Sequence, residues 1–184
     1  MIKYDTIFLD RDGTLNFDPG YINSINQYNF FEFTISALQA LAQNGNRFCI
    51  ITNQSGLGRG LIVIDKLEEI HKFIKHEFKL NEIPLLSIYF CPDHPSAATN
   101  FRKPGTGMFK TAAVDFNIIL KNCLMIGDGT ADMEAAANLK MDSMLVLTGR
   151  GEETFNKLPS GLKPTYIVKN LEAGADLLLG KSNK

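Results

Sequence analysis

Two aspartates separated by one residue, Asp10 and Asp12, stand between a short apolar run and Gly13-Thr14. The run, residues 5–9, predicts a buried strand, and the Gly-Thr pair predicts the tight turn that leaves it. Two carboxylates crowded at a strand end repel each other, and a divalent cation that prefers oxygen ligands, usually Mg²⁺, relieves that cost. Beside such a cation, one aspartate can be a nucleophile and its neighbour a general acid/base. Asp-Gly alone is common in structural turns, but D-x-D-G-T-L directly after an apolar strand is much more specific.

Two other segments carry groups that suit a phosphate. An apolar run over 47–52 leads into a glycine-rich turn between Thr52 and Gly60, whose hydroxyl and amide groups can donate hydrogen bonds to an anion. A flexible glycine-rich loop explains that segment about equally well. Arg102 and Lys103 lie on a predicted loop, where adjacent cations are usually solvated, but the proline that follows fixes the local backbone and suits an inward-pointing lysine.

Two more acids, Asp128 and Asp132, follow the apolar run 122–126. Asp128 lies between two glycines, which leave the nearby backbone free to approach, so we interpret it as an exposed ligand. Asp132 falls about one helical turn later and is also explained as an early-helix acid favoured by the helix dipole.

Strand-like and helix-like segments alternate along the chain, which predicts an α/β fold. The strand candidates are residues 5–9, 47–52, 86–90, 122–126, 143–147 and 164–168, and the helix candidates are residues 34–44, 64–78, 107–115, 131–139 and 171–179. Most strand candidates are continuously apolar, so we predict a Rossmann-like, three-layer open parallel sheet with helices on both faces. The regions between the motifs are too short for a large cap domain.

The predicted sheet brings the polar groups together. Asp10, Thr52 and Asp128 end predicted strands, and Lys103 follows another. In an open α/β sheet, ligands bind beyond the carboxyl ends of the strands. One edge of the sheet would therefore hold a nucleophile, an acid/base, phosphate donors, a cation and a metal ligand, which together describe a phosphoryl-transfer site.

Size and charge suit a single compact domain over residues 1–180 with a flexible tail at 181–184. The net charge is −1 and the basic residues are dispersed, so we expect neither a nucleic acid nor a membrane as partner, and we expect a monomer. No secretory signal or membrane-spanning run is visible, and three widely spaced cysteines are not a disulfide framework. We therefore expect a cytoplasmic protein.

Over nearly its full length the chain resembles the haloacid dehalogenase (HAD) superfamily of phosphatases. The matching motifs are Asp10-Arg11-Asp12-Gly13-Thr14, Thr52, Lys103, and Gly127-Asp128 with Asp132. The resemblance implies that Asp10 attacks phosphorus to form an aspartyl-phosphate and that Asp12 is the acid/base. It also implies that Mg²⁺ is held by the side chains of Asp10 and Asp128 and the backbone carbonyl of Asp12. Thr52, Asn53 and Lys103 would stabilise charge on the transferring group, and Asp132 would be a supporting acid.

Within the superfamily, the chain is similar to the subgroup of D-glycero-D-manno-heptose 1,7-bisphosphate and histidinol-phosphate phosphatases. Residues 54–60 are closer to the heptose branch, and residues 18–21 resemble its substrate-facing flap. The resemblance implies substrate contacts from Asp18, Gly20, Tyr21, Asn53, Gln54, Ser55, Arg102 and Lys103. The best-matching function is a Mg²⁺-dependent phosphatase of a small metabolite, a heptose 1,7-bisphosphate first, with histidinol phosphate or another small phosphate ester as the alternative.

The chain departs from that subgroup at two places. Members often carry a zinc loop before the Arg-Lys-Pro motif, but here Asp93 stands where a histidine ligand is expected and two later cysteines are missing. Cys91 and His94 alone are too few for a structural zinc site, so we expect no zinc. The second departure is Gly129, which replaces a lysine usual in heptose enzymes and removes one substrate-binding cation.

Two functions of other classes compete with catalysis. A phosphoacceptor signalling domain also combines acids, Mg²⁺, threonine and lysine on an α/β sheet, but it places the acceptor aspartate on a later strand and lacks D-x-D-G-T. A non-catalytic binding module of the same fold is disfavoured because no catalytic position is missing from the motifs.

Overall fold

The computed structural model describes residues 2–181 and contains one six-stranded sheet. Its strands are β1 (Thr6–Leu9), β2 (Arg47–Asn53), β3 (Leu85–Cys91), β4 (Leu124–Gly127), β5 (Asp142–Val146) and β6 (Tyr166–Val168). The order across the sheet is β3-β2-β1-β4-β5-β6, and every neighbouring pair is parallel. The predicted Rossmann-like parallel sheet is confirmed, and all six strands fall within two residues of their predicted ends.

Seven α-helices surround the sheet within the described residues. They are α1 (Thr34–Gln43), α2 (Ser55–Gly58), α3 (Ile64–Leu80), α4 (Gly107–Phe116), α5 (Thr130–Leu139), α6 (Gly151–Lys157) and α7 (Leu171–Leu179). The sequence predicted all of them except α2 and α6. Helix α2 is a single turn that contains two glycines, and α6 is short and buries only Gly151 and Thr154, so neither carries an apolar stripe.

Both faces of the sheet are buried, which explains the continuously apolar strands. In β1, Ile7 and Leu9 belong to the apolar cluster on one face, and Phe8 belongs to the cluster on the other face. The predicted stripe of α3 is completely buried at Leu67, Ile70, Ile74 and Phe78. A fully buried side chain of this size contributes roughly 1.5–3 kcal/mol to stability, so these positions fix α3 against the sheet.

Strand order decides where a ligand can bind. The chain leaves β1 toward β2 on one side, and β4 pairs with β1 on the other side. The loops after β1 and β4 therefore diverge and leave a crevice at the carboxyl ends of these strands. Between β1 and β3, the described chain adds only α1, α2, α3 and a short 3₁₀ turn, so no large cap domain is inserted there.

Two further sequence predictions concern the ends and the surface of the chain. Of the predicted tail 181–184, only Lys181 lies within the described residues, and its backbone N–H donates to the carbonyl of Asp176. Among residues 2–181, none of the helices combines the length and apolar character that crossing a membrane requires.

Candidate active site

A cleft of about 470 Å³ opens at the carboxyl ends of β1, β2 and β4. All of the site residues predicted from the sequence line it, namely Asp10, Asp12, Asp18, Gly20, Tyr21, Thr52, Asn53, Gln54, Ser55, Arg102, Lys103, Asp128 and Asp132. Arg59 and Arg150 also line the cleft, and sequence reasoning did not single them out. The cleft therefore combines a floor rich in carboxylates with several cationic residues.

Lys103 points into the floor of the cleft, where its ammonium group contacts two carboxylates and one backbone carbonyl. Its Nζ donates to Asp10 Oδ1 at 2.7 Å and to the Ile51 carbonyl at 2.7 Å, and lies 2.6 Å from Asp132 Oδ1. The Asn53 side chain fixes the Lys103 backbone through two hydrogen bonds, one in each direction, of 3.0 Å. Burial alone would lower the pKa of Lys103, but the two carboxylates hold that pKa above its ordinary value.

Asp10, Asp128 and Asp132 form a compact carboxylate cluster. One oxygen atom from each lies within 4.8 Å of the others. Burial raises the pKa of Asp10, Asp132 and Asp12 raise it further, and Lys103 only partly opposes the shift. Burial also raises the pKa of Asp128, and the neighbouring charges of Asp10 and Asp132 add to that effect.

This donor set fits a Mg²⁺ ion. Lys103 contacts Asp10 and Asp132 but not Asp128, so three carboxylates have one ammonium group among them, and the ionised cluster carries uncompensated negative charge. Oxygen-only ligands from carboxylates are the ones that Mg²⁺ prefers. The predicted side-chain ligands Asp10 and Asp128 belong to this cluster, and Asp132 is a third acid beside them that also anchors Lys103.

The carboxylate of Asp128 is seated on backbone that only glycine allows. Its Oδ2 accepts a hydrogen bond from the Arg150 N–H at 2.7 Å. A Cβ atom at Gly13 or at Gly149 would overlap this carboxylate, and both glycines have positive φ, +84° and +55°. The Thr148 hydroxyl donates to the Gly13 carbonyl at 2.7 Å and ties the two loops together.

Asp12 is held apart from that cluster by its own partners. Arg11 donates to both carboxylate oxygens, from Nε to Oδ1 at 2.9 Å and from Nη2 to Oδ2 at 2.6 Å. Asn16 Nδ2 donates to Oδ1 at 3.0 Å, and Gln54 Nε2 donates to Oδ2 at 2.9 Å and to the Thr52 hydroxyl at 2.9 Å. Burial by itself would raise the pKa of Asp12, but the Arg11 guanidinium and these hydrogen bonds lower it.

Sequence reasoning gave no role to Arg11 or Asn16, although both contact Asp12. One signal was available for Arg11, which follows an apolar strand directly and lies between the two aspartates. A charge buried at the end of an apolar strand needs a partner of opposite sign, and the neighbouring aspartates offer one. The structure supplies that partner as Asp12.

Two loops form the outer wall of the cleft. Gly20 and Tyr21 both have positive φ, +83° and +37°, and the Gly20 N–H donates to Asp18 Oδ1 at 2.8 Å. A Cβ atom at Gly56 would overlap the Tyr21 ring and the Ile62 side chain, so Gly56 lies directly against this flap. The predicted flap is therefore packed on the start of α2 at the mouth of the cleft.

The segment from Asp93 to Arg102 forms another wall. Asp93 Oδ2 accepts hydrogen bonds from the Thr99 N–H at 2.7 Å and the Thr99 hydroxyl at 2.6 Å. Arg102 Nη1 donates to the Asp93 carbonyl at 3.2 Å, and His94 Nδ1 lies 2.7 Å from the Ser96 hydroxyl. The side chains of this segment are thus linked to one another by hydrogen bonds.

The raised pKa values of Asp10 and Asp128 predict a pH-dependent metal site. Their protons compete with the cation near neutral pH, so we expect Mg²⁺ affinity to fall as the pH is lowered from about 8 to about 6. Without metal, the folded chain binds protons that the unfolded chain has released, so its stability should rise as the pH falls through this range. Calorimetric Mg²⁺ titrations and thermal melts at both pH values check this, and a pH-independent affinity would contradict it.

Comparison with known proteins finds similarity along most of the chain. The family model described as HAD-hydrolase-like matches residues 100–174. The D-glycero-β-D-manno-heptose-1,7-bisphosphate 7-phosphatase of Pasteurella multocida is 36% identical over 151 residues, which are 78% of this chain and 82% of that protein. The enzyme of the same name from Escherichia coli K12 is 34% identical over 152 residues, which are 78% of this chain and 80% of that protein.

A solved structure is similar over nearly the whole chain. It is the crystal structure of D,D-heptose 1,7-bisphosphate phosphatase from B. bronchiseptica, complexed with magnesium and phosphate. The TM-score is 0.86 and the sequence identity is 31%, over 97% of this chain and 99% of that one.

Proposed function

Because the chain belongs to the HAD-like hydrolase family, among relatives of the heptose-1,7-bisphosphate 7-phosphatases, we propose that it hydrolyses the 7-phosphate of D-glycero-D-manno-heptose 1,7-bisphosphate with the help of Mg²⁺. The observation that carries this proposal is the position of Asp10. Its carboxylate lies at the floor of the cleft beside Lys103, in a cluster with Asp128 and Asp132 that needs a further cation. A nucleophile, a fixed ammonium and a metal-binding cluster are the parts that phosphoryl transfer requires.

In the first step of the proposed mechanism, a carboxylate oxygen of Asp10 attacks phosphorus and the bond from phosphorus to the sugar oxygen breaks. Asp12 gives its proton to that leaving oxygen. Asp12 is ionised in the free enzyme and takes up this proton from solvent as the substrate binds, because the negative charge of the arriving phosphoryl group favours its protonation. Lys103 and the Thr52 hydroxyl stabilise charge on the transferring group.

In the second step, water attacks phosphorus and the bond from phosphorus to Asp10 breaks. Asp12, ionised after the first step, accepts the proton of the water. The side chains of Asp10 and Asp128 and the backbone carbonyl of Asp12 would hold Mg²⁺, which would supply positive charge to the cluster and to the phosphoryl oxygens. Asp132 supports the site by holding Lys103 in place.

Substrate choice is assigned to the walls of the cleft. The flap residues Asp18, Gly20 and Tyr21 and the neighbouring Asn53, Gln54 and Ser55 line the cleft on one side, and Arg102 lines it on another. A guanidinium can bind a second phosphate or sugar hydroxyls with two parallel hydrogen bonds. Arg59 and Arg150 also line the cleft, and their guanidinium groups offer positive charge in a cleft that has Gly129 in place of a lysine.

A comparison of two substrates tests the proposed specificity. We expect kcat/KM for the heptose 1,7-bisphosphate to exceed that for histidinol phosphate by more than about tenfold, which corresponds to ~1.4 kcal/mol of discrimination. Arg102→Ala should raise KM for the bisphosphate while lowering kcat less than a change at Asp10 or Asp12. A smaller preference, or a preference for histidinol phosphate, would contradict the substrate assignment.

We further propose that the enzyme needs no zinc. Cys91 is buried, the Asp93 carboxylate is occupied by Thr99, and His94 Nδ1 is occupied by Ser96, so no set of four ligands faces one point in this segment. Elemental analysis of the purified protein should find no stoichiometric zinc. The same protein should show Mg²⁺-dependent activity. About one zinc per chain, lost in Cys91→Ser, would overturn this expectation.

The proposed setting of the enzyme follows from the same features. Its three cysteines are buried and unpaired, which suits a reducing cytoplasm. The proposed partner is a small phosphorylated metabolite, since the cleft has a volume of about 470 Å³ and its carboxylates converge on one floor. We propose that the chain acts as a monomer.

A further inference from the structure

The carboxylate of Asp12 is bound more completely than that of any other acid in the cleft. Four hydrogen bonds from three side chains reach its two oxygen atoms, two from Arg11 and one each from Asn16 and Gln54. Asp10 has Lys103 as its only hydrogen-bonded side-chain partner among the described residues. The protein therefore fixes the orientation of the acid/base before substrate arrives. The carboxylates around Asp10 have fewer side-chain partners, and a cation would neutralise their charge.

Arg11 is placed where it can act only on Asp12. Its side chain is 1% exposed and is the largest fully buried side chain of the described residues, so it cannot touch a substrate in the cleft. Its guanidinium lies 5.9 Å from the centre of the Tyr28 ring, which helps to hold it in place. The two parallel bonds from Nε and Nη2 fix both the position and the plane of the carboxylate.

Gln54 links the acid/base to the phosphate-binding hydroxyl. An ionised carboxylate can only accept hydrogen bonds, so the amide nitrogen of Gln54, and not its oxygen, faces Asp12. The second hydrogen of that same nitrogen points to the Thr52 hydroxyl oxygen, 2.9 Å away. Because the Thr52 oxygen accepts this bond, its own hydrogen remains free to be donated to the transferring phosphoryl group.

We propose that Arg11 and Gln54 are positioning residues for proton transfer, and that they fix the plane of the Asp12 carboxylate relative to the leaving oxygen. The four hydrogen bonds fill its four lone-pair sites, so one of them opens when Asp12 takes up the proton that it transfers. This inference rests on the proposed phosphatase function. In the affected step the bond from Asp10 to phosphorus forms, the bond from phosphorus to the ester oxygen breaks, and the proton of Asp12 goes to that oxygen. Misplacing Asp12 weakens the last of these events and leaves the other two in place.

Leaving-group dependence separates this role from a merely structural one. The substrates are a series of substituted phenyl phosphates from good leaving groups, such as p-nitrophenol, to poor ones, such as phenol, all measured as kcat/KM with saturating Mg²⁺. A good leaving group needs little help from an acid and a poor one needs much. We expect Arg11→Lys and Gln54→Met to lower kcat/KM roughly 10–100-fold for phenyl phosphate and only about threefold or less for p-nitrophenyl phosphate.

Two control variants bracket the result. Asp12→Asn, which cannot transfer a proton, should show the steepest dependence on the leaving group. Asn53→Leu removes the neighbouring side-chain amide, but that amide binds the Lys103 backbone and not Asp12, so it should lower kcat/KM equally for every member of the series. Gln54→Met keeps the test informative if Arg11→Lys, at a fully buried position, does not fold.

The possible outcomes separate the positioning role of Arg11 and Gln54 from the proposed phosphatase function. Wild-type protein that hydrolyses none of the phosphate esters contradicts the proposed function itself. Wild-type turnover with a uniform loss across the series in folded Arg11→Lys and Gln54→Met contradicts the positioning role and leaves the phosphatase assignment intact. A steeper leaving-group dependence in both variants than in wild type and Asn53→Leu supports the proposal.

Discussion

Asp10→Asn is expected to abolish phosphatase turnover and to leave the fold intact. An amide cannot serve as the nucleophile, and loss of a catalytic nucleophile lowers kcat by roughly 10⁴-fold or more. The substitution also removes one negative charge from a cluster in which burial and Asp132 already raise the pKa of Asp10. Without Mg²⁺, the melting temperature of the variant should therefore equal or exceed that of the wild type.

Steady-state assays with Mg²⁺ and thermal melts with EDTA check both halves of this expectation. Asp18→Asn is the matched control, because Asp18 is an exposed acid on the rim of the same cleft and carries no charge into the buried cluster. We expect it to change KM and not to abolish turnover. Near-normal kcat in Asp10→Asn would remove the nucleophile from the mechanism.

Lys103→Met is expected to lower the stability of the metal-free protein, whereas Asp10→Asn is expected to preserve or raise it. The substitution deletes the ammonium that contacts Asp10 and Asp132 and leaves these buried carboxylates without a positive partner. Breaking a buried ion pair from one side typically costs about 3–5 kcal/mol of stability. Activity should also fall by roughly 10²–10³-fold, the scale of losing one group that stabilises charge in the transition state.

Added Mg²⁺ should restore much of the stability of Lys103→Met, because the cation neutralises the same cluster, but it should not restore activity. Urea unfolding with and without Mg²⁺ measures this directly. Adding Asp10→Asn to Lys103→Met should recover part of the lost stability in EDTA, since it removes one of the two carboxylates that have lost their positively charged partner. A Lys103→Met protein as stable as wild type in EDTA would mean that the ion pairs contribute little.

The strands and the edge at which they end were predictable because they depend on local patterns. Six continuously apolar runs specified a parallel sheet, and the rule that ligands bind beyond its carboxyl ends placed Asp10, Thr52 and Asp128 together before any coordinate was known. The structure confirms the sheet and places all three in one cleft. Helices α2 and α6 were not predicted because they are short and carry no apolar stripe, so their sequences show no helical periodicity.

The contacts that orient the site were harder to foresee. Nothing in the sequence indicates that the Gln54 amide joins Asp12 to Thr52, or that the Asn53 side chain clamps the backbone of Lys103. Such bonds depend on how two loops from different strands meet in space. The sequence predicted residues that line the cleft, whereas the pairing between them, and the burial of Arg11 beside Asp12, required the fold.

If Asp10 carries the phosphoryl group between the two steps, the phosphorylated residue can be trapped chemically and identified. Asp12→Asn should be mixed with p-nitrophenyl phosphate and Mg²⁺, because a good leaving group departs without an acid while the water step stalls without a base. After acid quenching and borohydride reduction of the aspartyl-phosphate, mass spectrometry should find the reduced residue in the peptide that contains Asp10. The variant that also carries Asp10→Asn should show no reduced residue. Release of p-nitrophenol with no reduced residue, or with one at another position, would contradict the proposed mechanism.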